Sequence, residues 1–316
     1  MIEFKKIELS DKEWVDQLLQ YSDYGATEFN FTVLFIWKEV FCTRIARYKD
    51  FLIVRFCPQG SSDTGKARYF FPAGRGNHKE VLEEMMQDAR CLNAQFTLLS
   101  ILEEQKAILE ELFPDKFLFT PNRNSFDYIY LAENLITLKG KKYQSKRNFV
   151  SRFKKNNNWS YEEITPATAG ECLQMNNEWC KLYGCGKDSS MQQESCSVKS
   201  ALENFEALSL KGGILRVDGR IVAFSIGEKL NSNTFLVHIE KAFAYITGAY
   251  PAISQMFLQH QMSGTYSSEI ELSADIIGFM YVNREDDAGD ENLRNAKLQY
   301  HPDHLIEKYI ATISEI

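Results

Sequence analysis

Residues 281–302, YVNREDDAGDENLRNAKLQYHP, join the end of an apolar run to an acidic turn and a helical pattern. Gly289 interrupts the acidic residues, and Asp290 after it is a good N-cap for a helix. The residues that then recur at helical spacing are Leu293, Ala296, Lys297 and Tyr300. The stretch therefore predicts a strand, an acidic turn and a helix. Asn283 falls where the strand should end, which is where ligand groups sit in open α/β sheets.

Composition indicates an ordinary globular protein of two domains. A chain of 316 residues with 44% hydrophobic and 25% charged residues has enough apolar material for full cores. The net charge of -7 argues against bulk non-specific nucleic-acid binding and leaves room for a local basic patch. No apolar run approaches the ~20 residues that span a bilayer, so no stable membrane insertion is expected. Seven cysteines without zinc-site spacing indicate a reducing cytoplasm, mostly buried thiols and no metal site.

The order of strand and helix patterns predicts a mixed α and β protein with antiparallel pairs. Its clearest hairpin signal is Asp218-Gly219, between apolar runs at 214–217 and 221–228. The next strand is expected at 234–242. Further expectations are a loop at 184–194, a strand at 270–276 and a closing helix at 303–316.

A basic segment at 139–155 contains no Asp or Glu. Phe149 and Phe153 are four residues apart, so one face of a helix can be buried while the remainder stays charged. One interpretation is a solvated helix that links two domains. The other is a landing site for phosphates of RNA, anionic lipid or a cofactor. The residues expected to contact RNA or phosphate are Lys142, Lys146, Arg147 and Arg152.

The strand at 234–242, TFLVHIEKA, carries three ionisable residues, which are His238, Glu240 and Lys241. A carboxylate on an otherwise apolar strand needs a partner, water or an altered pKa when it is buried. The two alternatives for Glu240 are catalysis and a structural ion pair with an arginine such as Arg284 or Arg294. A glycine-containing loop and a helix follow this strand, and a helix N-terminus presents free N–H groups to an anion.

Four segments, at 138–153, 237–242, 247–250 and 283–302, together resemble the phosphatidylglycerol lysyltransferase C-terminal domain family. The resemblance covers most of the chain. It implies two tandem GNAT-type α/β domains, a layout shared with the peptidoglycan FemABX aminoacyltransferases. Each domain is then a mixed, mostly antiparallel twisted sheet flanked by helices. The expected boundaries are 1–131 for the first domain, 132–158 for a basic linker helix and 159–316 for the domain with the active site.

The resemblance also implies where an acyl donor binds. In GNAT folds the donor's pyrophosphate lies on the loop and helix after a central strand, which is the loop 245–250 here. The expected contacts to coenzyme A are Ile239, Lys241, Ala242, Tyr245, Thr247, Gly248, Ala249, Tyr250 and Asn283. Backbone N–H groups at 239–242 would polarise the carbonyl, and Asn283 would orient the donor.

Acyl transfer to an amine needs a base, a polarised carbonyl and a proton for the leaving group. Glu240 or His238 is the expected base, and Tyr300 is the expected acid by analogy with GNAT enzymes. A cationic small-molecule acceptor, such as an amino acid or polyamine, would be held by the acidic loop. The residues assigned to it are Asp286, Asp287 and Asp290.

Three functional hypotheses follow. The first is an acyltransferase that moves an acyl group from coenzyme A to an amine. The second is a transferase that uses aminoacyl-tRNA, with the basic segment holding the RNA. The third is a binding protein on a transferase fold that has lost catalysis.

Overall fold

The computed structural model describes residues 2–57, 65–185, 189–262 and 278–313. Its helices are α1 Lys12–Ser22, α2 Phe31–Ile36, α3 Lys38–Phe41, α4 His78–Cys91, α5 Glu103–Leu112, α6 Ala132–Thr137, α7 Gln144–Asn156, α8 Pro166–Tyr183, α9 Ser189–Glu203, α10 Ala249–Met262 and α11 Glu291–Leu298. Its strands are β1 Lys5–Lys6, β2 Thr43–Tyr48, β3 Phe51–Phe56, β4 Lys66–Phe70, β5 Ala73–Gly74, β6 Gln95–Ile101, β7 Phe117–Pro121, β8 Asp127–Leu131, β9 Trp159–Glu163, β10 Lys211–Val217, β11 Arg220–Lys229, β12 Thr234–Ala242, β13 Tyr281–Asn283, β14 His304–Ile306 and β15 Tyr309–Ile313.

The chain forms two compact units. The first comprises the described residues of Met1–Asp127, Asp286–Glu291 and Leu305–Ile316. Its sheet runs in the order β1-β2-β3-β4-β6-β15-β7, with β5 paired to β3. The pair β4–β6 is parallel, and the other pairs with a described register are antiparallel. Helix α4 packs on this sheet through Val81, Leu82 and Met85, which are fully buried.

The second unit comprises the described residues of Tyr128–Glu285 and Asn292–His304. Its sheet has the order β14-β8-β13-β12-β11-β10-β9. Strands β12 and β13 are parallel, whereas β8–β13 and the pairs from β12 to β9 are antiparallel. Helix α10 packs against β10, β11 and β12, and α6 and α7 pack against α10. The predicted architecture of two mixed, mostly antiparallel sheets flanked by helices is confirmed.

The last described residues of the chain form strands, so the prediction of a closing helix at 303–316 is wrong. Strand β15 pairs with β6 and β7 in the sheet of the first unit. Its sequence, YIATI, is rich in β-branched residues, which favour strands when a sheet edge is available. Because the described residues from 305 to 313 cluster with the first unit, the structure differs from the expected single domain at 159–316.

Strong local patterns predicted the local structure correctly. Asp218 and Gly219 join β10 to β11 with positive φ angles of 49° and 81°, as a two-residue hairpin turn requires.

Other expected elements differ from the structure. The loop expected at 184–194 is partly wrong, because α9 already begins at Ser189. The strand expected at 270–276 lies outside the described residues. Helix α7 belongs to the second unit, where Val150 and Phe153 are buried, so it is not a solvated linker.

No helix among the described residues is long and apolar enough to cross a membrane. Two pairs of cysteines form disulfides, Cys42–Cys57 and Cys180–Cys185. Of the free cysteines, Cys172 is buried, whereas Cys91 and Cys196 are exposed. The expectation of mostly buried thiols therefore holds for Cys172 alone among these residues.

Candidate active site

Strands β12 and β13 separate after three paired residues, and the charged residues of the site lie where they diverge. The parallel register ends at Leu236, opposite Asn283. Strand β12 continues through His238 and Glu240, while the chain after β13 continues into Arg284. The divergence places these side chains beyond the carboxyl end of a parallel pair, where ligands bind in open α/β sheets.

Arg284 and Glu240 form an ion pair across this divergence. Nη2 of Arg284 donates to Oε1 of Glu240 at 3.0 Å, and both side chains are nearly buried, with 12% and 13% exposed. The sequence analysis named Arg284 as one possible partner for Glu240 in a structural ion pair. Lys297 of α11 donates to the carbonyl oxygen of Arg284 at 2.6 Å, which fixes the backbone of the pair.

The second guanidinium nitrogen of Arg284 has no hydrogen-bond partner among the described residues, although it is buried. Two rings flank the guanidinium, with centroids 4.8 Å away for Tyr300 and 5.8 Å away for Tyr130. A buried N–H donor without an acceptor costs free energy unless a ligand oxygen satisfies it. This donor is therefore suited to bind a carbonyl oxygen.

Tyr300 lies beside this donor, two residues after α11 ends rather than on that helix. Its carbonyl oxygen accepts a hydrogen bond from the hydroxyl of Tyr143 at 3.1 Å, which holds it in place. Burial, opposed by the charge of Arg284, raises the pKa of Tyr300 to about 12. The phenol therefore keeps its proton near neutral pH and is able to donate it.

His238 is held between two carboxylates. Its Nε2 lies 3.0 Å from Glu228 and its Nδ1 lies 3.1 Å from Glu285, with only 1% of the side chain exposed. Burial lowers the pKa of His238, but the hydrogen bonds and charges of the two carboxylates outweigh it and raise that pKa to about 9. A protonated imidazole cannot accept a proton, so the geometry does not favour His238 as the base. Its contacts instead tie β11, β12 and the turn after β13 together.

Lys146 reaches this site from α7. Its Nζ lies 4.3 Å from the ring centroid of Tyr300 and donates to Oε1 of Gln299 at 3.2 Å. Burial and the charge of Arg284 lower the pKa of Lys146 from its ordinary value. Among the four residues expected to contact phosphate, Lys146 is thus the one that points into the charged cluster.

The other three residues of that set lie elsewhere on the basic segment. Lys142 and Arg152 are exposed. Arg147 donates to the carbonyl oxygens of Leu138 and, at 2.7 Å, Gly140, so it closes the turn after α6. A phosphate contact is therefore available to the two exposed residues more readily than to Arg147.

The acidic loop is largely occupied by its own hydrogen bonds. Asp287 is fully buried and accepts from Nη1 of Arg123 at 3.2 Å and from the N–H of Gly289 at 3.0 Å. Asp286 accepts from the N–H of Ala288 at 2.9 Å. Asp290 directly precedes α11, as its capping role predicts, and is exposed. These contacts stabilise a turn, and they do not favour acceptor binding by Asp286 or Asp287.

Asn283 is also used by the turn rather than presented to a ligand. It is fully buried, and its side-chain oxygen accepts from the N–H of Glu285 at 2.7 Å. Glu285 has a φ angle of 59°, which this local hydrogen bond supports. Asn283 therefore shapes the bend that carries Arg284 and Glu285 towards β12.

The loop at 245–250 does not fit the open pyrophosphate site that the resemblance implied. A Cβ atom on Gly248 would collide with the carbonyl oxygen of Phe149 and lie 3.1 Å from Cβ of Phe153. The missing side chain of Gly248 thus serves close packing against α7. Ala249 is buried, whereas Thr247 and Tyr245 are exposed and Tyr250 is partly buried.

The remaining expected donor contacts on β12 are engaged with the protein. The carbonyl oxygen of Ile239 accepts from the hydroxyl of Ser225 at 3.0 Å, and that of Ala242 accepts from Nε1 of Trp179 at 3.1 Å. Lys241 is buried, with its Nζ 3.9 Å from the ring centroid of Trp179 and 2.7 Å from Glu194. The side chain of Lys241 and these two carbonyl oxygens are therefore used by the protein's own contacts.

Several residues of the site were not assigned from the sequence. Arg284 was considered only as a structural partner, and Glu228, Tyr130 and Lys297 were given no site role, while Glu285 was expected only as part of the acceptor-binding acidic loop. The signal for Arg284 was its place directly after the strand end at Asn283. The partners of His238 carried no local signal, because β11 supplies one and the turn after β13 the other. Within the described ranges, no group of histidine, cysteine and acidic residues could hold a metal ion.

Fold and site together define an α/β protein with two mixed sheets and a charged cluster at a strand divergence. The chain belongs to the family described as phosphatidylglycerol lysyltransferase, C-terminal, which matches residues 20–312. This match confirms the resemblance drawn from the sequence.

Solved structures agree with this assignment. A conserved protein of unknown function from Bacteroides thetaiotaomicron VPI-5482 is 38% identical, with a TM-score of 0.89, over 99% of this chain and 100% of that one. L-PGS from Bacillus licheniformis is 15% identical, with a TM-score of 0.65, over 96% of this chain and 91% of that one. FemX is 9% identical, with a TM-score of 0.60, over 99% of this chain and 97% of that one. The last two similarities establish a shared GNAT-like fold.

A curated relative from Mycoplasmoides gallisepticum is the uncharacterized protein MYCGA3080. It is 25% identical over 199 residues, which span 61% of this chain and 58% of that protein. The match therefore covers little more than half of the relative's length.

Proposed function

We propose that this protein is an aminoacyltransferase that takes its aminoacyl group from aminoacyl-tRNA. The observation that carries the proposal is the two-sided character of α7. Its outer face and the turn before it expose cations, while Lys146 on the same helix points into the cluster of Glu240, Arg284 and Tyr300. One helix thus offers a surface for RNA phosphates and a side chain at the candidate reaction centre. Family membership supports the same interpretation.

The donor would be held by electrostatic contacts to its phosphates. The exposed cations on and before α7 are Lys139, Lys141, Lys142, Arg152, Lys154 and Lys155. Each phosphate contact releases counterions, so binding should weaken as salt rises. The acidic net charge of -7 makes this local patch the natural place for RNA to land.

The chemistry would be an exchange of an ester for an amide. The acceptor amine attacks the carbonyl carbon of the aminoacyl ester, a C–N bond forms, and the C–O bond to the terminal ribose breaks. Arg284 would donate from Nη1 to the carbonyl oxygen as charge develops on it. Glu240 would accept the proton of the amine, and Tyr300 would give its proton to the ribose oxygen. His238 would act only by positioning the strands around them.

The acceptor is proposed to be an amine. The name of the family specifies phosphatidylglycerol, whose nucleophile is a hydroxyl group. An amine and a hydroxyl group can each be deprotonated by Glu240. The acceptors tested should therefore include amino acids, polyamines and vesicles that contain phosphatidylglycerol.

The decisive experiment is a transfer assay with purified protein and tRNA charged with radiolabelled amino acids. We expect label to move from tRNA to an acceptor, and we expect tRNA binding to weaken steeply with salt. Replacing both Lys154 and Lys155 by Gln should weaken tRNA binding. It should also make the plot of the logarithm of the binding constant against the logarithm of the salt concentration less steep, by roughly one unit of slope for each phosphate that is no longer neutralised. The control replaces two exposed lysines of the first unit, Lys5 and Lys49, by Gln. It removes the same charge and should leave tRNA binding unchanged.

Two results would overturn the proposal. Turnover of acyl-coenzyme A without any need for tRNA would restore a coenzyme A donor. Saturable binding of tRNA without transfer to any acceptor, with charged tRNA left intact, would indicate a binding protein.

A further inference from the structure

The start of α10 lies against the basic helix α7. Gly248 lies so close to α7 that the carbonyl oxygen of Phe149 and Cβ of Phe153 occupy the space that a side chain at this position would need. Tyr245 precedes this contact by three residues. The end of the loop before α10 and helix α7 are therefore neighbours in the second unit.

Each of these two neighbouring segments exposes one aromatic ring. Tyr245 is 59% exposed and Phe149 is 40% exposed. Tyr245 stacks on the fully buried ring of Phe243, with centroids 5.2 Å apart and planes 21° apart. The outer face of Tyr245 is thus presented on a rigid support.

One guanidinium lies near Phe149, and another lies near the ring that supports Tyr245. The guanidinium of Arg152 lies 5.8 Å from the ring centroid of Phe149. The guanidinium of Arg220 lies 5.5 Å from the centroid of Phe243, on which Tyr245 stacks, and it also pairs with Glu178. Exposed rings set among cations suit a ligand that carries both flat bases and phosphates. They suit an apolar protein partner less well, because such a partner would have to desolvate the cations.

We propose that Tyr245 and Phe149 form a stacking platform for unpaired nucleotides at the 3′ end of the donor RNA. The proposal rests on the proposed function, and it adds that the single-stranded end is bound separately from the duplex. Stacking on an aromatic ring is tolerant of sequence, so the platform would accept any tRNA with an unpaired end. The exposed cations of α7 would hold the adjoining phosphates.

The test compares two fluorescent RNA hairpins of identical stem, one with an unpaired 3′ tail of four nucleotides and one blunt. Wild-type protein should bind the tailed hairpin more tightly. Tyr245→Ala and Phe149→Ala should each weaken binding of the tailed hairpin roughly 5- to 100-fold and leave binding of the blunt hairpin unchanged. Tyr245→Phe should restore tail binding, because it keeps the ring. Phe41→Ala removes a ring that is 46% exposed in the first unit and is the matched control.

The outcomes separate this proposal from the proposed function. Transfer from aminoacyl-tRNA that survives both alanine substitutions, with tail binding unchanged, would overturn the platform and leave the transferase intact. Equal loss of tailed and blunt binding would also overturn it, because the rings would then serve general RNA binding. Wild-type protein that binds neither hairpin and transfers nothing would overturn both.

Discussion

Each unit buries a cation next to one or more carboxylates. The two arrangements differ in whether every polar atom of the cluster has a hydrogen-bond partner. In the first unit, Nζ of the fully buried Lys308 bonds to Glu28 at 2.6 Å and to Asp127 at 2.7 Å. The other oxygens of these carboxylates accept from Ser100 at 2.7 Å and from the N–H of Thr27 at 2.9 Å. This group, called the Lys308 cluster, is closed by its own contacts.

In the second unit, the pair of Arg284 and Glu240 with Tyr300, called the Arg284 cluster, is not closed. Nη1 of Arg284 is buried and has no acceptor within the part of the chain that the structure describes. A buried donor without an acceptor costs free energy in a scaffold, whereas a binding site can use it when a ligand arrives. We infer that the Lys308 cluster serves stability and that the Arg284 cluster serves binding and chemistry. Three predictions test this contrast, ordered by their expected effect on the free energy of unfolding.

The largest effect is expected from Lys308→Met. Removing one partner of a buried ion pair costs about 3–5 kcal/mol, because the remaining charges lose their compensation. Urea denaturation at pH 8 measures it. The loss should be smaller at pH 5, because burial raises the pKa of Glu28 and a proton can then neutralise that carboxylate.

The control for Lys308→Met is Lys49→Met, which removes an ion pair with Glu80 whose side chains are 60% and 41% exposed. It should cost about 0–1 kcal/mol, as exposed pairs do. Folded Lys308→Met should retain transfer activity. A variant that unfolds like wild type but loses activity would reverse the roles of the two clusters.

The sequence predicts the two kinds of buried charge unequally. Glu240 and His238 stand out because they interrupt an apolar strand pattern, and Asn283 marks a strand end by its position. Lys308 gives no such signal, since it lies in a segment, HLIEKYIAT, whose burial depends on pairing with β6 and β7, far earlier in the chain. Local patterns thus predicted the sheets and the Asp218-Gly219 hairpin, while long-range pairing determined the structure of the C-terminal segment.

The second-largest effect on the free energy of unfolding is expected from the pH dependence of His238. Its pKa is raised from 6.5 to about 9, so its contribution to stability is fully present below pH 6.5 and is lost as pH rises through about 9. The shift corresponds to about 3 kcal/mol, since one pKa unit is about 1.4 kcal/mol. The difference in unfolding free energy between wild type and His238→Gln should therefore shrink between pH 6.5 and 9.

The matched control for this pH effect is His304→Gln, because His304 also pairs with a carboxylate, Asp303 at 2.9 Å, but is 47% exposed. Its stability difference from wild type should be small at every pH. A difference for His238→Gln that stays constant from about pH 6 to about pH 10 would show that folding does not raise the pKa of His238. The imidazole would then be neutral at pH 8 and again available as a base.

The smallest stability effect is expected from Glu240→Gln, and it is the most informative about chemistry. The amide oxygen of Gln still accepts from Arg284, so the hydrogen bond is kept and only the negative charge is lost. The loss should therefore be smaller than the about 3–5 kcal/mol expected when one partner of a buried ion pair is removed. Turnover per folded molecule should fall about 10²–10⁴-fold, because an amide cannot accept the proton of the acceptor amine. Glu162→Gln alters an ion pair with Arg216 in the same unit, with Glu162 42% exposed, and should change neither quantity appreciably.

If Glu240→Gln loses stability but keeps its specific activity, Glu240 serves only to hold Arg284. The Arg284 cluster would then differ from the Lys308 cluster in its unpaired donor alone. In that case the base would have to be sought among the neighbours of Tyr300, where the lowered pKa of Lys146 makes that amine the first candidate.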